Sequence, residues 1–297
     1  MCISIASTKH PEYPFILISN RDEYLVRPTA LAHWHHANSI LSPYDLARAE
    51  QGTWIGINKF GRLALLVNYR ENTKNLEKLF GTVSRGLITM DFLENAEVGV
   101  GEWESKLIGL DQMGGFSMLY GDLGVDESGN LEPMSLINNR AEDPSELTSK
   151  VFQKGDESTI GLSNSLYNQP WPKVILGKEL LNGVIRRSTE GNWSEDKLVE
   201  ELFEVLSHDT YVLTTDDAQN FNNLRESIYI PAFATNYIPQ RNKCIGNYYG
   251  TRTQTIILLD RTGTIHYVER NLFSEDNSKA YDPTIQRFSY SIQPHEA

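Results

Sequence analysis

Residues 2–23 read CISIASTKHPEYPFILISNRDE. Two short β-rich runs, CISIAS and FILIS, flank the turn-like TKHPEYP, which predicts an antiparallel hairpin. The chain therefore opens inside a sheet. The second run ends in Arg21, Asp22 and Glu23, with Arg27 following just ahead of a proline. A strand that ends in such charges has reached either the surface or a site. The hairpin favours a site, because it brings Asn20 to Glu23 to the same sheet end as residue 2.

Outward from this hairpin the same punctuation recurs. TWIGINKFGRLALLVN holds two apolar runs around Asn58 to Gly61, a second hairpin that ends at Asn68. FSMLYGD and SLINN predict another strand pair, with turn residues Asp126 to Asn130 between them. TQTIILLDRTGTIHYVER predicts a long hairpin turned at Thr262 and Gly263. Three segments have helical spacing instead. SRGLITMDFLE begins with Ser84 as a cap, and WPKVILGKELLNGVIRR follows a proline with Val174, Ile175, Leu180, Leu181, Val184 and Ile185 on its apolar face. SEDKLVEELFEVLSHD opens with Ser194 and two acids. Hairpins at both ends of the chain, with helices between them, predict largely antiparallel sheets with helices packed on them.

No repeat or Pro/Gly-rich linker divides the 297 residues, so one domain over 1–297 is expected. A net charge of −12 and the lack of a Lys/Arg cluster argue against a nucleic-acid partner. The apolar runs LALLV and TIILL are far shorter than the roughly 20 residues that cross a bilayer. MCISIASTKHPEYP lacks the basic start and apolar stretch of a secretory signal, so a soluble, cytoplasmic chain is expected. With two cysteines, Cys2 and Cys244, a disulfide scaffold or cysteine-rich zinc module is ruled out, and Cys2 reads as a free thiol.

Cys2 carries the most specific chemistry. If Met1 is removed, Cys2 bears a free α-amine beside its thiol. The amine titrates near 7.7 to 8.0 and the thiol near 8.5, so the amine can take the thiol proton as sulfur attacks a carbonyl. Such a nucleophile needs an anion to hold its ammonium, donors for the oxyanion and a group that orients substrate. Asp22 suits the anchor. Arg21 either orients a substrate carboxylate or salt-bridges Glu23 or Asp22.

SNRDEYLVRPT, with the MCI start, GTWIGINKFGRLALLVNYR, SRGL, GLSN and YYGTRTQTIILLD, resembles the Asn-Arg-Asp-Glu family, also named the transport and Golgi organisation protein 2 family. The resemblance spans Met1 to about residue 270. It implies an N-terminal-nucleophile hydrolase fold, an αββα sandwich of two antiparallel sheets between helical layers. Within that superfamily the chain is similar to cysteine amidases that cleave bile-salt conjugates and penicillin V. Their GIN-x-x-G-x-A hairpin ends in an oxyanion asparagine, here Asn68. Their L-[ST]-N strand supplies a second, here Asn164, and a late arginine that helps organise the nucleophile falls on Arg252. Those amidases usually place an arginine three positions before the aspartate, where this chain has Ser19.

The resemblance thus implies catalytic roles for Cys2, Asp22, Asn68, Asn164 and Arg252, and substrate contacts from Asn20, Arg21, Glu23 and Arg27. No cofactor and no metal is expected. The reaction implied is cleavage of a linear amide or thioester of a small acyl compound. The alternative is a carrier of acyl-coenzyme A, lipid or haem, since family members are linked to secretory-pathway organisation, lipid metabolism and haem movement, with an implied Golgi or mitochondrial association. Asn68 and Asn164 also read as turn caps at strand ends. Trp54 reads as core, and His33, His35 and His36 of HWHH read as a polar loop rather than a metal site.

Overall fold

In the computed structural model, β1 (Ile3–Ser7) and β2 (Phe15–Tyr24) pair antiparallel, with Ile3 opposite Asn20 and Ser7 opposite Ile16. The opening hairpin is as the sequence predicts. The structure describes residues 1–37, 39–71, 81–124, 131–140, 150–152, 158–235, 246–273, 275–278 and 283–294. The turn read at Asp126 to Asn130 and the second cysteine, Cys244, lie outside these residues.

The chain then builds a second sheet in sequence order. β3 (Thr29–His35), β4 (Ile40–Asp45), β5 (Ile55–Asn58), β6 (Arg62–Asn68), β7 (Phe116–Asp122), β8 (Met134–Asn138) and β9 (Lys150–Phe152) lie side by side, each antiparallel to the last. Between β6 and β7 come α1 (Gly86–Glu94) and the short α2 (Val100–Ser105). β10 (Thr159–Ser163) returns to the first sheet beside β1. After α3 (Pro172–Gly191), α4 (Glu195–Leu206) and α5 (Asp217–Asn223), the strands β11 (Phe233–Ala234), β12 (Tyr248–Leu259), β13 (Thr264–Asn271) and β14 (Thr284–Ser291) complete that sheet. Its order is β10-β1-β2-β12-β13-β14, with β11 on β12.

Three apolar cores define the layers. Leu17 and Ile257 of the first sheet meet Ile57 and Leu65 of the second between the sheets. Ile16 and Ile18 face the other way, against Val174 and Leu181 of α3 and Leu202 of α4. On the far side, Leu66 and Tyr120 pack on Phe92 of α1 and Trp103 of α2. The αββα sandwich is therefore the observed architecture. It explains why FILIS is apolar without alternation: both faces of β2 are covered, and each buried Ile or Leu there contributes about 1.5–3 kcal/mol.

Local signals account for the helices. Pro172 starts α3, where its missing N–H costs nothing, and Ser194 accepts a hydrogen bond from the Lys197 amide at the head of α4, ahead of Glu195 and Asp196. A Cβ on Gly177 would lie 2.3 Å from Ile5 Cδ1, so the missing side chain lets α3 ride close on β1. That approach brings the first turn of α3 to the sheet end where the chain begins.

Three expectations need correcting. Ser84 does not cap α1: the N-cap residue is Arg85, with no side-chain cap bond, and Ser84 instead lines a cavity. HWHH is not a loop, since His33 and His35 lie in β3 opposite Ser42 and Ile40. Hydrogen bonds between the His35 ring and the Ser42 and Tyr44 hydroxyls satisfy its polarity within the sheet. Ile175, placed on the apolar face of α3, is 52% exposed.

Candidate active site

Ile3 stands opposite Asn20 on β2 and Ser163 on β10, so Cys2 falls at the sheet end that carries both Asp22 and Asn164. The Cys2 carbonyl accepts a hydrogen bond from Ser163 Oγ at 2.7 Å. Its residue lines a cavity of about 720 Å³ together with Asn68, at the end of β6, and Asn164, just past β10. The Arg70 amide donates to the Asn164 carbonyl at 2.9 Å, joining the segments that follow those two strands in different sheets. Asn164 Oδ1 is buried without a hydrogen-bond partner among the described residues. An orphaned carboxamide of this kind is common where a ligand supplies the missing partner.

Beneath Cys2 lies a buried ionic cluster. Asp22 Oδ1 accepts from Thr251 Oγ1 at 2.7 Å, while Oδ2 stands 3.5 Å from the Met1 amine and 3.6 Å from Lys173 Nζ. The Asp22 and Lys173 side chains are both 0% exposed. Lys173 donates to the Met1 carbonyl at 2.7 Å, and the Tyr249 hydroxyl bonds to the Met1 amine and to the Asp22 carbonyl. Burial pushes the Met1 amine below its ordinary pKa, Asp22 opposes that shift, and Lys173 adds to it. Burial likewise pushes the Cys2 thiol up, against the neighbouring ammonium and a backbone hydrogen bond from Asp22. Amine down and thiol up is the direction that keeps the proton on sulfur until an amine takes it. Met1 precedes Cys2, so here the amine at the Asp22 anchor is that of Met1.

The facing wall is cationic. Arg21 lies 4.1 Å over the Trp54 ring and 3.9 Å from Glu23; Arg27 grips Asp45 at 2.6 Å and stands 3.6 Å from Glu23. Trp54 therefore lines the cavity rather than serving as core alone. Arg21 lies two residues beyond Ser19 on β2, and strand alternation gives both the same face. A guanidinium thus reaches the Cys2 side of the sheet from one pleat further on, and its charge lowers the thiol pKa.

Two expected site residues lie elsewhere. Asn20 does not line the cavity: its amide donates to the Leu206 and Ile228 carbonyls at 2.7 and 2.9 Å, because its neighbour Arg21 takes the cavity-facing side. Arg252 also falls outside the lining. It is the extra residue of a β-bulge between Thr251 and Thr253, and its guanidinium bonds to the Arg27 carbonyl and to Thr29 Oγ1. It fastens the turn that carries Arg27. Sequence reasoning missed Lys173, Tyr249, Thr251, Arg48 and Arg85. Lys173 alone had a readable signal, since it shares the stripe of Gly177, Leu181, Val184 and Ser188, all buried on α3.

Among the described residues, no group of three or more His, Cys, Asp or Glu side chains could hold a metal ion. Nor is any helix long and apolar enough to cross a membrane.

Residues 1–274 match the family model described as Transport and Golgi organisation 2. The chain belongs to that family. Among its relatives, the uncharacterized protein YGR127W of Saccharomyces cerevisiae is 31% identical, over 98% of this chain and all of its own. The human Transport and Golgi organization protein 2 homolog is 30% identical over 92% of this chain and 94% of its own. The Drosophila melanogaster Transport and Golgi organization protein 2 is 24% identical over 92% and 91%. Among solved structures, this family member is similar to the C2A mutant of a conjugated bile acid hydrolase from Clostridium perfringens, at 10% identity, TM-score 0.48, over 100% of this chain and 99% of that one. It is similar also to a Caenorhabditis elegans N-acylethanolamine-hydrolyzing acid amidase ortholog, at 12% identity, TM-score 0.48, over 86% and 92%.

Proposed function

We propose that the chain is an N-terminal-cysteine amidohydrolase acting on a linear amide or thioester of a small acyl compound. The observation that carries this is the meeting of Cys2, Asp22, Asn68 and Asn164, from four separate segments, around one cavity. Once Met1 is gone, the Cys2 amine accepts the thiol proton while sulfur attacks the acyl carbon. Asn68 and Asn164 hold the oxyanion. The leaving amine or thiol departs with the proton, and water then cleaves the S-acyl intermediate. Asp22 holds the ammonium, and Arg21, Glu23 and Arg27 meet the rest of the substrate. Incubation with amide and thioester libraries, followed by intact-mass analysis, tests this: a Met1-free chain with an acyl adduct on Cys2 is expected, and a quantitatively retained Met1 rules it out.

A second reading, a carrier of acyl-coenzyme A, lipid or haem in the same cavity, is favoured by one observation. The Met1 amine is buried and bound to Tyr249 and Asp22, so an unprocessed chain has its anchor filled and its cavity formed. Native mass spectrometry that finds a co-purifying ligand on chains retaining Met1 would select this reading. Placement at the Golgi, which the family name suggests, or at mitochondria is a proposal that fractionation of cells expressing the tagged chain tests.

A further inference from the structure

The cavity wall away from Cys2 carries more positive charge than the chemistry above requires. Four arginines line it, Arg21, Arg27, Arg48 and Arg85, facing the carboxylates of Glu23 and Asp45, while Asp22 is engaged with Lys173 and the Met1 amine. In a chain of net charge −12 this is a local inversion of sign. Glu23 and Asp45 are both committed to Arg27, and Glu23 also to Arg21. Arg48, half-buried, has no ion pair among the described residues. Arg85, at the head of α1, donates to the Gly115 carbonyl at 2.8 Å, and burial together with the charge of Arg48 pushes its guanidinium down to about 10, against the charge of Glu71. Gathering like charges around a partly desolvated space is unfavourable unless an anion enters it.

The arrangement also bears on which anion. A carboxylate is planar and is satisfied by one guanidinium fork, as Asp45 is by Arg27. Guanidiniums that reach one space from β2, from the segment after β4 and from the start of α1 suit an oxyanion that accepts from several directions and carries about two charges. We propose that Arg48 and Arg85 form a subsite for a phosphate group borne by the substrate, so that the compound delivered to Cys2 is a phosphorylated amide or thioester. This rests on the amidohydrolase reading for its substrate half; the anion subsite stands independently of it.

The test separates the two. Calorimetric titration of the full chain with inorganic pyrophosphate, at fixed ionic strength, is run on wild type, Arg48→Gln, Arg85→Gln, Cys2→Ala and, as a surface control, Arg287→Gln. Saturable binding is expected, weakened about tenfold or more by each cavity-arginine substitution and unchanged in the other two variants. Absent binding, equal binding of malonate, or unchanged affinity in Arg48→Gln overturns the subsite. Acylation of Cys2 by N-decanoyl-O-phosphoethanolamine is then compared with that by N-decanoylethanolamine. Faster labelling by the phosphorylated amide, abolished in Arg48→Gln, supports the substrate assignment. Equal rates mean that the subsite takes a free anion and overturn that assignment. If neither amide labels Cys2 while pyrophosphate still binds, the nucleophile reading fails and the subsite survives.

Discussion

Lys173 Nζ donates to the carbonyl oxygen of Met1 at 2.7 Å and stands 3.6 Å from Asp22 Oδ2, with both side chains sealed from solvent. The lysine thus holds the first peptide group and the anchor carboxylate together. Lys173→Met keeps the volume but leaves Asp22 with less compensation, and breaking a buried pair costs about 3–5 kcal/mol. Urea unfolding of Lys173→Met, Asp22→Asn and the double variant should show a coupling of at least about 1 kcal/mol. Strictly additive losses would mean that the two groups do not interact.

Asn164→Ala should behave in the opposite way. Its buried Oδ1 has no partner, so truncation removes no hydrogen bond, and stability should change little or rise. Activity should not be spared: loss of one oxyanion donor typically lowers the rate about a hundred- to a thousandfold. Thermal unfolding alongside the rate of Cys2 acylation checks both halves, and a near-normal rate would remove Asn164 from the oxyanion role.

These two residues mark the limits of what the sequence discloses. The hairpins at 2–23, 55–68 and 248–271 were legible because turn residues separate β-rich runs, and α3 and α4 because a proline start and a serine cap, respectively, coincide with helical spacing. Asn164 was legible only through the L-[ST]-N resemblance. Arg21 and Asn20 sit side by side in sequence, yet the pleat sends one to the cavity and the other to the helix layer, a distinction that needs the register of β2 on β1. Thr251 meets Asp22 because a bulge resets the pairing at Arg252, and no local signal announces it. Arg48 and Arg85 come from separate segments that meet where the Thr53 amide donates to the Gly86 carbonyl, a contact no local pattern announces.

Gly177 tests the close approach of α3 to β1. In a helix position with room for a methyl Gly→Ala would stabilise by up to about 1 kcal/mol, as expected at half-buried Gly183, whose added Cβ would meet nothing closer than Arg187 Nη1 at 3.5 Å. At Gly177 the new methyl meets Ile5 Cδ1, and overpacking of this kind costs about 1–3 kcal/mol. Gly177→Ala should therefore destabilise, and Ile5→Val, which removes that Cδ1, should recover part of the loss in the double variant. Equal effects at 177 and 183 would contradict the packing.

Glu269 links the two sheets and sets a pH dependence. On β13 its Oε1 accepts from the Ala32 amide of β3 at 2.8 Å. Burial raises its carboxyl to about 7, against that hydrogen bond, one from Tyr267 and the charge of Arg21. A carboxyl with a raised folded pKa binds more protons folded than unfolded, so stability declines as pH rises from about 4.5 through 7. Glu269→Gln keeps an acceptor for Ala32 and cannot ionise. It should be more stable than wild type by about 1–3 kcal/mol at pH 8, with the difference shrinking toward pH 5. Urea midpoints at pH 5, 6.5 and 8 measure this, and a difference that does not change with pH would show that Glu269 is not the titrating group.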